Sequence, residues 1–148
     1  MKLIECMTET STASLEMTVR EAMQVCVDCD CPGIPFVDES GKLIGRFSIR
    51  HTFYQHCIPA DLIKHAHLLG NGIDNIEMED QYTDDFMKLP ASDFMLERLI
   101  HLHPDSQIVK ALALMEQFNT SYLFVVDDKE HYLGVVTHQS IARHLLSI

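Results

Sequence analysis

The spacing of apolar residues changes from helical to strand-like within residues 17–53. The first part of this stretch has apolar residues at i, i+3, i+4 and i+7, the pattern of an amphipathic helix: Val19, Ala22, Met23 and Cys26. Two short, mainly apolar runs follow, at Gly33–Val37 and at residues 43–47, and both predict buried strands. Ser48 is a favourable N-cap residue for a second helix, and residues 9–14 are a strand candidate before the first. The pattern therefore predicts the order β-α-β-β-α.

The same pattern occurs a second time at a constant offset. Residues 106–142 align with residues 17–53 without a gap, so that each position recurs 89 residues later. Few residues are identical, but apolar class, turn positions and a glycine stay in register. The identical pairs include Ala22 with Ala111, Val37 with Val126, Asp38 with Asp127 and Gly45 with Gly134. The sequence therefore predicts an α+β fold of two β-α-β-β-α repeats, at residues 1–57 and 91–148.

Residues 58–90 separate the repeats and differ from both. Their first part is typical of a helix that ends near Gly70 or Gly72. Their second part is acidic and contains no basic residue between positions 73 and 85; its acidic residues are Asp74, Glu77, Glu79, Asp80, Asp84 and Asp85. The simplest interpretation is a solvated connector, and the alternative is a docking strip for a basic partner.

Composition and charge narrow the class of protein. Hydrophobic residues make up 47% of the chain and charged residues 22%, which is typical of a globular protein. The net charge of −11 disfavours binding to nucleic acids and to anionic membrane surfaces, although a local basic pocket can still hold an anion. No apolar run reaches the roughly 20 residues of a membrane span, and no signal peptide is recognisable. We therefore expect a cytoplasmic protein whose five cysteines are thiols.

Three cysteines in the stretch VCVDCDC raise the question of a metal or redox site. In the repeat alignment Cys26 and Cys29 fall on Met115 and Phe118, which occupy core-type positions of the equivalent helix. Packing is therefore the favoured interpretation, and no metal site is predicted. A Cys/His metal sensor stays as an alternative, because His101 and His103 also point to one face of a predicted strand. No nucleophile motif, P-loop or His-Glu-x-x-His motif is present.

Short motifs in both halves resemble those of CBS (cystathionine β-synthase) domains. The second half contains DFM, PDS, VVD and GVVT, and the first contains ECMTE, PFVDESGKLIG and GRFS, in register with them. The chain thus resembles a tandem CBS pair, or Bateman module. The resemblance implies a regulatory module and not an enzyme, with two pseudo-symmetric repeats, a cleft on each side and a homodimeric assembly. It also implies regulatory ligands such as AMP, ADP, ATP or S-adenosylmethionine, and no required cofactor.

The resemblance also places candidate ligand-binding residues in each repeat. In the second repeat they are Arg98, Ile100, Thr120, Ser121, Tyr122, Thr137 and Ser140. In the first repeat they are Ser11, Cys31, Pro32, Gly33, Ser48 and His51, with Glu9 nearby. The helix starts at Ser48 and Thr137 offer backbone N–H groups and a hydroxyl to a phosphate, and Gly45 and Gly134 permit close approach.

One departure from the family pattern concerns the ribose. His51 and Ser140 stand where the family has an aspartate that binds both ribose hydroxyls, so the charge-assisted bidentate contact is lost. We expect the second repeat to hold the ligand, because it keeps Thr137 and gains Arg98, whereas Glu9 repels phosphate in the first. Tyr122 either stacks on a purine or fills the pocket itself.

These features predict a regulatory module that binds an adenosine nucleotide or a related adenosyl ligand between its repeats and changes dimer geometry. The alternative is a ligand-free structural or dimerisation module, which the two missing aspartates favour. The sequence names neither the effector protein nor the open cleft.

Overall fold

The computed structural model of the chain describes residues 1–148, apart from the side chains of residues 73–75; Asp74 of the acidic connector therefore lies outside the described side chains. The first repeat contains α1 (Val19–Asp28), β1 (Gly33–Val37), β2 (Leu43–Ser48) and α2 (Ile49–His56). The connector contains α3 (Ala60–His65) and α4 (Asp80–Met87). The second repeat contains β3 (His101–Leu102), α5 (Ile108–Gln117), β4 (Tyr122–Val126), β5 (Tyr132–Thr137) and α6 (His138–Leu146).

The offset of 89 residues holds for backbone detail as well as for element order. Gly33 pairs with Ser48 in the antiparallel β1–β2 hairpin, and Tyr122 pairs with Thr137 in β4–β5. Both hairpins shift register at the same equivalent position. The left-handed residues also correspond: Asp30 with Asn119, and Gly41 with Glu130. The predicted α+β fold of two repeats is thus confirmed.

The strand expected at the start of each repeat, at residues 9–14 and 98–103, is shorter than predicted. Residues 98–103 form only β3, which runs parallel to β4, and residues 9–14 form only a bridge between Ala13 and Phe36. The chain just before them pairs with the other repeat: Thr8 bridges Val135 of β5, and Leu96 bridges Arg46 of β2. Each repeat therefore begins with a leading segment, residues 8–13 in the first and 96–102 in the second, that pairs first with the other repeat and then with its own.

Gly45 and Gly134 allow this crossing. A Cβ atom on Gly134 would lie 2.9 Å from the Thr8 carbonyl oxygen, and one on Gly45 would lie 2.5 Å from Cγ of Met95. The sequence suggested that these glycines leave room for a ligand. The structure fills that room with the leading segments, so that interpretation is corrected: both glycines serve the packing of the two repeats.

The crossing also interleaves the hydrophobic cores. Leu3 and Cys6, from the start of the chain, lie in the core of the second repeat beside Leu102 and Met115. Phe86 of α4 and Phe94, near the start of the second repeat, lie in the core of the first. A third cluster joins the two repeats and consists of Cys31, Leu43, Tyr122, Phe124, Val126 and Val135. Burial in all three clusters stabilises the pair as one unit.

The described helices include none that is both long and apolar enough to cross a membrane.

Candidate ligand-binding cleft

A cleft between the two repeats contains two adjoining cavities. The larger has a volume of about 700 Å³ and the smaller about 120 Å³, and both are lined by Arg46, Phe118, Thr120 and Tyr122. The larger cavity is bounded by the start of α2 in the first repeat and by the end of α5 and the start of β4 in the second. Its volume lies within the range of sites for small molecules.

The crossing of the second leading segment forms this cleft. The backbone N–H of Leu96 donates to the Arg46 carbonyl oxygen at 2.9 Å, and the N–H of Arg46 donates to that of Leu96 at 2.9 Å. The segment then passes to β3, so that Arg98 and Ile100 line the smaller cavity beside Arg46. The start of α2 is thereby placed opposite the second repeat, and not opposite its own leading segment.

The cleft carries a concentration of basic residues. Arg46, Arg50 and Arg98 line it, which is three of the five arginines of the chain. His51 and His138 line the larger cavity as well, and Glu116 is the one carboxylate among the described residues that line either cavity. Because the chain has a net charge of −11, this basic cleft is a local exception that attracts anions.

Arg46 is held in place across the interface between the repeats. Its Nη1 donates a hydrogen bond to the Tyr122 hydroxyl at 3.3 Å, and its guanidinium lies 5.8 Å from the centre of that ring. Its Nε is buried and has no hydrogen-bond partner among the described residues. A buried charged donor without a partner is costly, and the guanidinium as a whole would be stabilised by a negative charge in the cleft.

Two further basic residues differ in their surroundings. The Arg98 side chain is exposed, and its guanidinium lies 5.0 Å from the centre of the Phe118 ring, which orients it over the smaller cavity. Partial burial, and then the charge of Arg46, lower the pKa of His51 below its usual range. His51 is therefore neutral near pH 7 and can accept one hydrogen bond as well as donate one.

Tyr122 spans the interface between the repeats. It is 5% exposed, and burial raises the pKa of its phenol. Its hydroxyl end occupies the space where a side chain at Gly33 would lie, and Gly33 is its own equivalent in the first repeat. Of the two roles that the sequence allowed, the ring takes the filling one where it faces Gly33, while it also forms a wall of both cavities.

The structure brings together candidate residues from both repeats. Arg98, Ile100, Thr120, Ser121 and Tyr122 of the second repeat line the cleft with Pro32, Ser48 and His51 of the first. Each helix start was expected to share a cleft with the leading segment of its own repeat. In the structure, the start of α2 in the first repeat shares the cleft with the leading segment of the second repeat, because the leading segments cross between the repeats.

Thr137 and Ser140 do not line this cleft. Oγ of Ser140 accepts from the Thr137 N–H at 3.0 Å, and Oγ1 of Thr137 accepts from the Ser140 N–H at 2.9 Å. Ser140 is 6% exposed, so this capping box closes the start of α6. The expected contribution of Thr137 to a site with Arg98 is therefore not seen in the structure.

The other first-repeat candidates lie outside the cleft too. Cys31 is buried in the cluster that joins the repeats, and its Sγ donates to the Gly33 carbonyl oxygen at 3.0 Å. Burial raises the pKa of its thiol, which disfavours the reactive thiolate. Gly33 is covered by Tyr122, and Ser11 and Glu9 are exposed away from the two cavities.

Four ionisable cleft residues were not predicted from the sequence. They are Arg46, Arg50, Glu116 and His138. A signal for the two arginines was present in GRFSIRH, where they flank the N-cap residue Ser48 of a helix. Basic residues on both sides of a helix start are well placed for an anion.

The described residues contain no group of three or more His, Cys, Asp or Glu side chains arranged to hold a metal ion. Cys26 is buried in the first-repeat core, where burial raises the pKa of its thiol to about 12. Cys29 is half-buried against the cluster that joins the repeats. The rings of His101 and His103 lie edge to face with centres 6.4 Å apart.

Comparison with known sequences identifies the second repeat. Residues 91–147 match the sequence model of the CBS domain. The uncharacterized protein MJ1426 of Methanocaldococcus jannaschii is 29% identical over 127 residues, covering 77% of this chain and 73% of that protein. The uncharacterized protein MJ1232 of the same organism is 25% identical over 135 residues, covering 91% of this chain. The chain spans 36% of the length of MJ1232.

Solved structures share the fold of the whole chain. The CBS domain pair of protein MJ0100, in complex with 5′-methylthioadenosine and S-adenosyl-L-methionine, has a TM-score of 0.67 at 21% identity and covers 99% of this chain and 97% of that one. CBSX2 in complex with AMP has a TM-score of 0.69 at 17% identity and covers 99% of this chain and 96% of that one. The second repeat is therefore a CBS domain, and the chain as a whole has the fold of a tandem CBS pair, a Bateman module.

Proposed function

We propose that the chain is a regulatory module that binds an adenosine nucleotide between its repeats, and that binding changes the geometry of a homodimer. The observation that carries the proposal is the set of three arginines, Arg46, Arg50 and Arg98, around a cleft of about 700 Å³ in an acidic chain. Support also comes from the two structural neighbours above, whose ligands all contain adenosine.

The two cavities suit the two ends of a nucleotide. The smaller is lined mainly by apolar and aromatic side chains, including Ile100, Phe118 and Leu123, which suit a base. The larger holds the start of α2, where the helix dipole, Arg46 and Arg50 suit phosphate. Among adenosyl ligands, this charge favours AMP, ADP or ATP over S-adenosylmethionine, whose sulfonium is positive.

Binding at this place can change the arrangement of the repeats. A ligand in the cleft would contact α2 of the first repeat and β4 of the second, so its affinity depends on their relative position. A ligand that binds one arrangement more tightly shifts the population toward it. In a homodimer this shift would reach an effector protein through the dimer surface.

Calorimetric titration of the chain with AMP, ADP, ATP and S-adenosylmethionine tests the proposal. We expect the three nucleotides to bind, and light scattering with small-angle X-ray scattering to show a dimer whose dimensions change on binding. Arg98→Gln should weaken nucleotide binding about tenfold, the loss of one charge-assisted hydrogen bond. Arg143→Gln, which removes an exposed arginine from α6 outside the cleft, is the matched control. Absence of heat with all three nucleotides would contradict the proposal.

A ligand-free structural or dimerisation module is the second candidate. It is favoured by Tyr122, which is buried across the interface and already joins the repeats. This candidate predicts a dimer whose melting temperature and dimensions do not respond to any nucleotide. The same scattering series therefore separates the two functions.

A further inference from the structure

We infer that the cleft recognises its ligand by the phosphate chain and not by the ribose, so that it selects polyphosphates and tolerates changes in the sugar. This inference rests on the proposed function, since it specifies the ligand class of the same cleft. It follows from a census of the hydrogen-bond donors and acceptors that the cleft offers.

The donors are numerous and fixed in charge. Arg46, Arg50 and Arg98 carry guanidinium groups, which donate and cannot accept. The dipole of α2 adds partial positive charge at the same end of the larger cavity, where the Ile49 N–H donates to the Pro32 carbonyl oxygen and the His51 N–H to Oγ of Ser48. Nε of Arg46 is buried without a hydrogen-bond partner among the described residues, so one strong donor is still unsatisfied. Each additional phosphate of a ligand adds negative charge for this set.

Acceptors for a pair of sugar hydroxyls are neutral, apart from Glu116. They lie on Ser48, His51, Tyr54, Asn119, Thr120, Ser121 and Tyr122. A ribose diol donates two hydrogen bonds, and one carboxylate can accept both. His51 occupies the third position after the N-cap residue Ser48, and its neutral ring has a single acceptor nitrogen. Oγ of Ser48 already accepts from the His51 N–H at 3.3 Å, and Thr120 Oγ1 donates to the Tyr122 carbonyl oxygen at 3.1 Å.

Glu116 is the carboxylate that could take the diol instead. It is exposed near the end of α5, and no side-chain hydrogen bond holds it among the described residues. An exposed carboxylate that no side chain holds loses side-chain entropy when it is fixed on a ligand, so its hydrogen bonds to a diol would add little. We therefore assign the sugar little part in affinity, and the test below includes Glu116.

Titration of the wild-type chain with four probes, in magnesium-free buffer of low ionic strength, tests the inference. The probes are ATP, 2′-deoxy-ATP, AMP and inorganic tripolyphosphate. We expect calorimetry to give Kd values for ATP and 2′-deoxy-ATP that agree within threefold. AMP should bind at least tenfold more weakly than ATP, because it lacks two phosphates. Tripolyphosphate should displace ATP, and the affinity for ATP should fall steeply with added salt.

The outcomes separate this inference from the proposed function. If ATP binds but 2′-deoxy-ATP binds tenfold more weakly, or tripolyphosphate does not compete, the inference is wrong and the nucleotide site stands. If none of the four probes binds, the proposed function is wrong and the inference falls with it.

Two variants sharpen the result. His51→Asp places a carboxylate at the start of α2 and should make ATP bind several-fold more tightly than 2′-deoxy-ATP, even if both bind more weakly than to the wild type. Glu116→Gln should leave the ratio of the two affinities unchanged. A wild-type preference for ATP that Glu116→Gln abolishes would show that Glu116 binds the ribose, and would overturn the inference.

Discussion

The starts of α2 and α6 occupy equivalent places in the two repeats but carry opposite chemistry. At α2, Arg46, Arg50 and His51 line the cleft. At α6, the equivalent residues are Val135, Gln139 and Ser140, of which Val135 and Ser140 are buried. Because hairpin register and capping position are the same in both repeats, the backbone does not cause this difference. In a duplicated fold, a few side chains decide which helix start presents basic groups to a cleft and which is closed by packing.

A second pair of equivalent residues shows why the repeats cannot be identical at their interface. Gly33 and Tyr122 are equivalent, and they face each other across the approximate symmetry of the pair. Two large side chains would collide there, and two glycines would leave a void beside Phe47. The Tyr122 side chain fills this space alone, and the missing side chain at Gly33 makes room for it.

The largest effect is expected from breaking this pair with Gly33→Ala. The new Cβ would overlap the Tyr122 ring end and would lie 2.8 Å from the Phe47 carbonyl oxygen, which is backbone and cannot move away freely. Overpacking of this kind should lower the free energy of unfolding by about 2 kcal/mol. Urea denaturation measures the change.

The matched control for this substitution is Gly72→Ala. A Cβ at Gly72 would have no heavy atom within 4 Å, and the free energy of unfolding should change by no more than about 0.5 kcal/mol. Equal losses for the two variants would show that Tyr122 and Gly33 do not constrain each other.

The comparison of the two helix starts predicts an asymmetric response to charge. Arg50→Gln should weaken ATP binding about tenfold, because it removes one guanidinium from the cleft. Gln139→Arg, the reciprocal change at the equivalent position of α6, should leave the ATP affinity within twofold of the wild type, since Gln139 lines neither cavity. Calorimetry measures both. A gain of affinity, or a second binding site, in Gln139→Arg would show that the start of α6 also binds ATP. That result would contradict the proposed phosphate site at the start of α2.

Local sequence patterns were sufficient for the repeated architecture. The apolar runs that became β1 and β4, and the N-cap types at Ser48 and Thr137, are short-range signals, and they appeared where expected. The crossing of the leading segments was missed. Its bridges join residues as far apart as Thr8 and Val135, and no local pattern encodes that pairing.

The same long-range crossing limited prediction of the cleft. Resemblance supplied Arg98 and Thr120, because their family positions depend on one repeat alone. Arg46 and Arg50 were missed because α2 was assigned to the cleft of its own repeat. Cys31 was placed at a rim from its alignment with Thr120, but the structure buries it beside Leu43. Burial at an interface between repeats depends on the partner surface, which one sequence does not display.

A smaller effect on stability should distinguish the two N-caps. Thr137 takes part in a reciprocal capping box, whereas Ser48 accepts a single bond of 3.3 Å from the His51 N–H. We expect Thr137→Ala to lower the free energy of unfolding by about 1.5 kcal/mol and Ser48→Ala by about 0.5 kcal/mol. Thermal denaturation measures both losses. A larger loss for Ser48→Ala would mean that α2 depends more on its N-cap than α6 does, contrary to the expectation.

The smallest expected effect is a pH dependence of binding through His51, which has no titrating equivalent at Ser140. Burial and then Arg46 lower the pKa of His51, so in the free chain it is neutral at pH 7, and the apo protein loses some stability as the pH falls below 6.5. A bound phosphate chain opposes the charges of Arg46 and Arg50 and raises that pKa, so binding takes up protons. The affinity for ATP should therefore rise a few-fold between pH 8 and pH 6.5 relative to His51→Gln, in which protonation of the terminal phosphate of ATP has the same effect.

Calorimetry across this window, on the wild type and on His51→Gln, measures the linkage. His51→Gln should flatten the rise, and His138→Gln, which changes the other histidine of the same cavity, should keep it. If the rise survives in His51→Gln and disappears in His138→Gln, the proton is taken up at α6. The second repeat would then contribute the titrating group. The starts of α2 and α6 would in that case differ in binding only through Arg46 and Arg50.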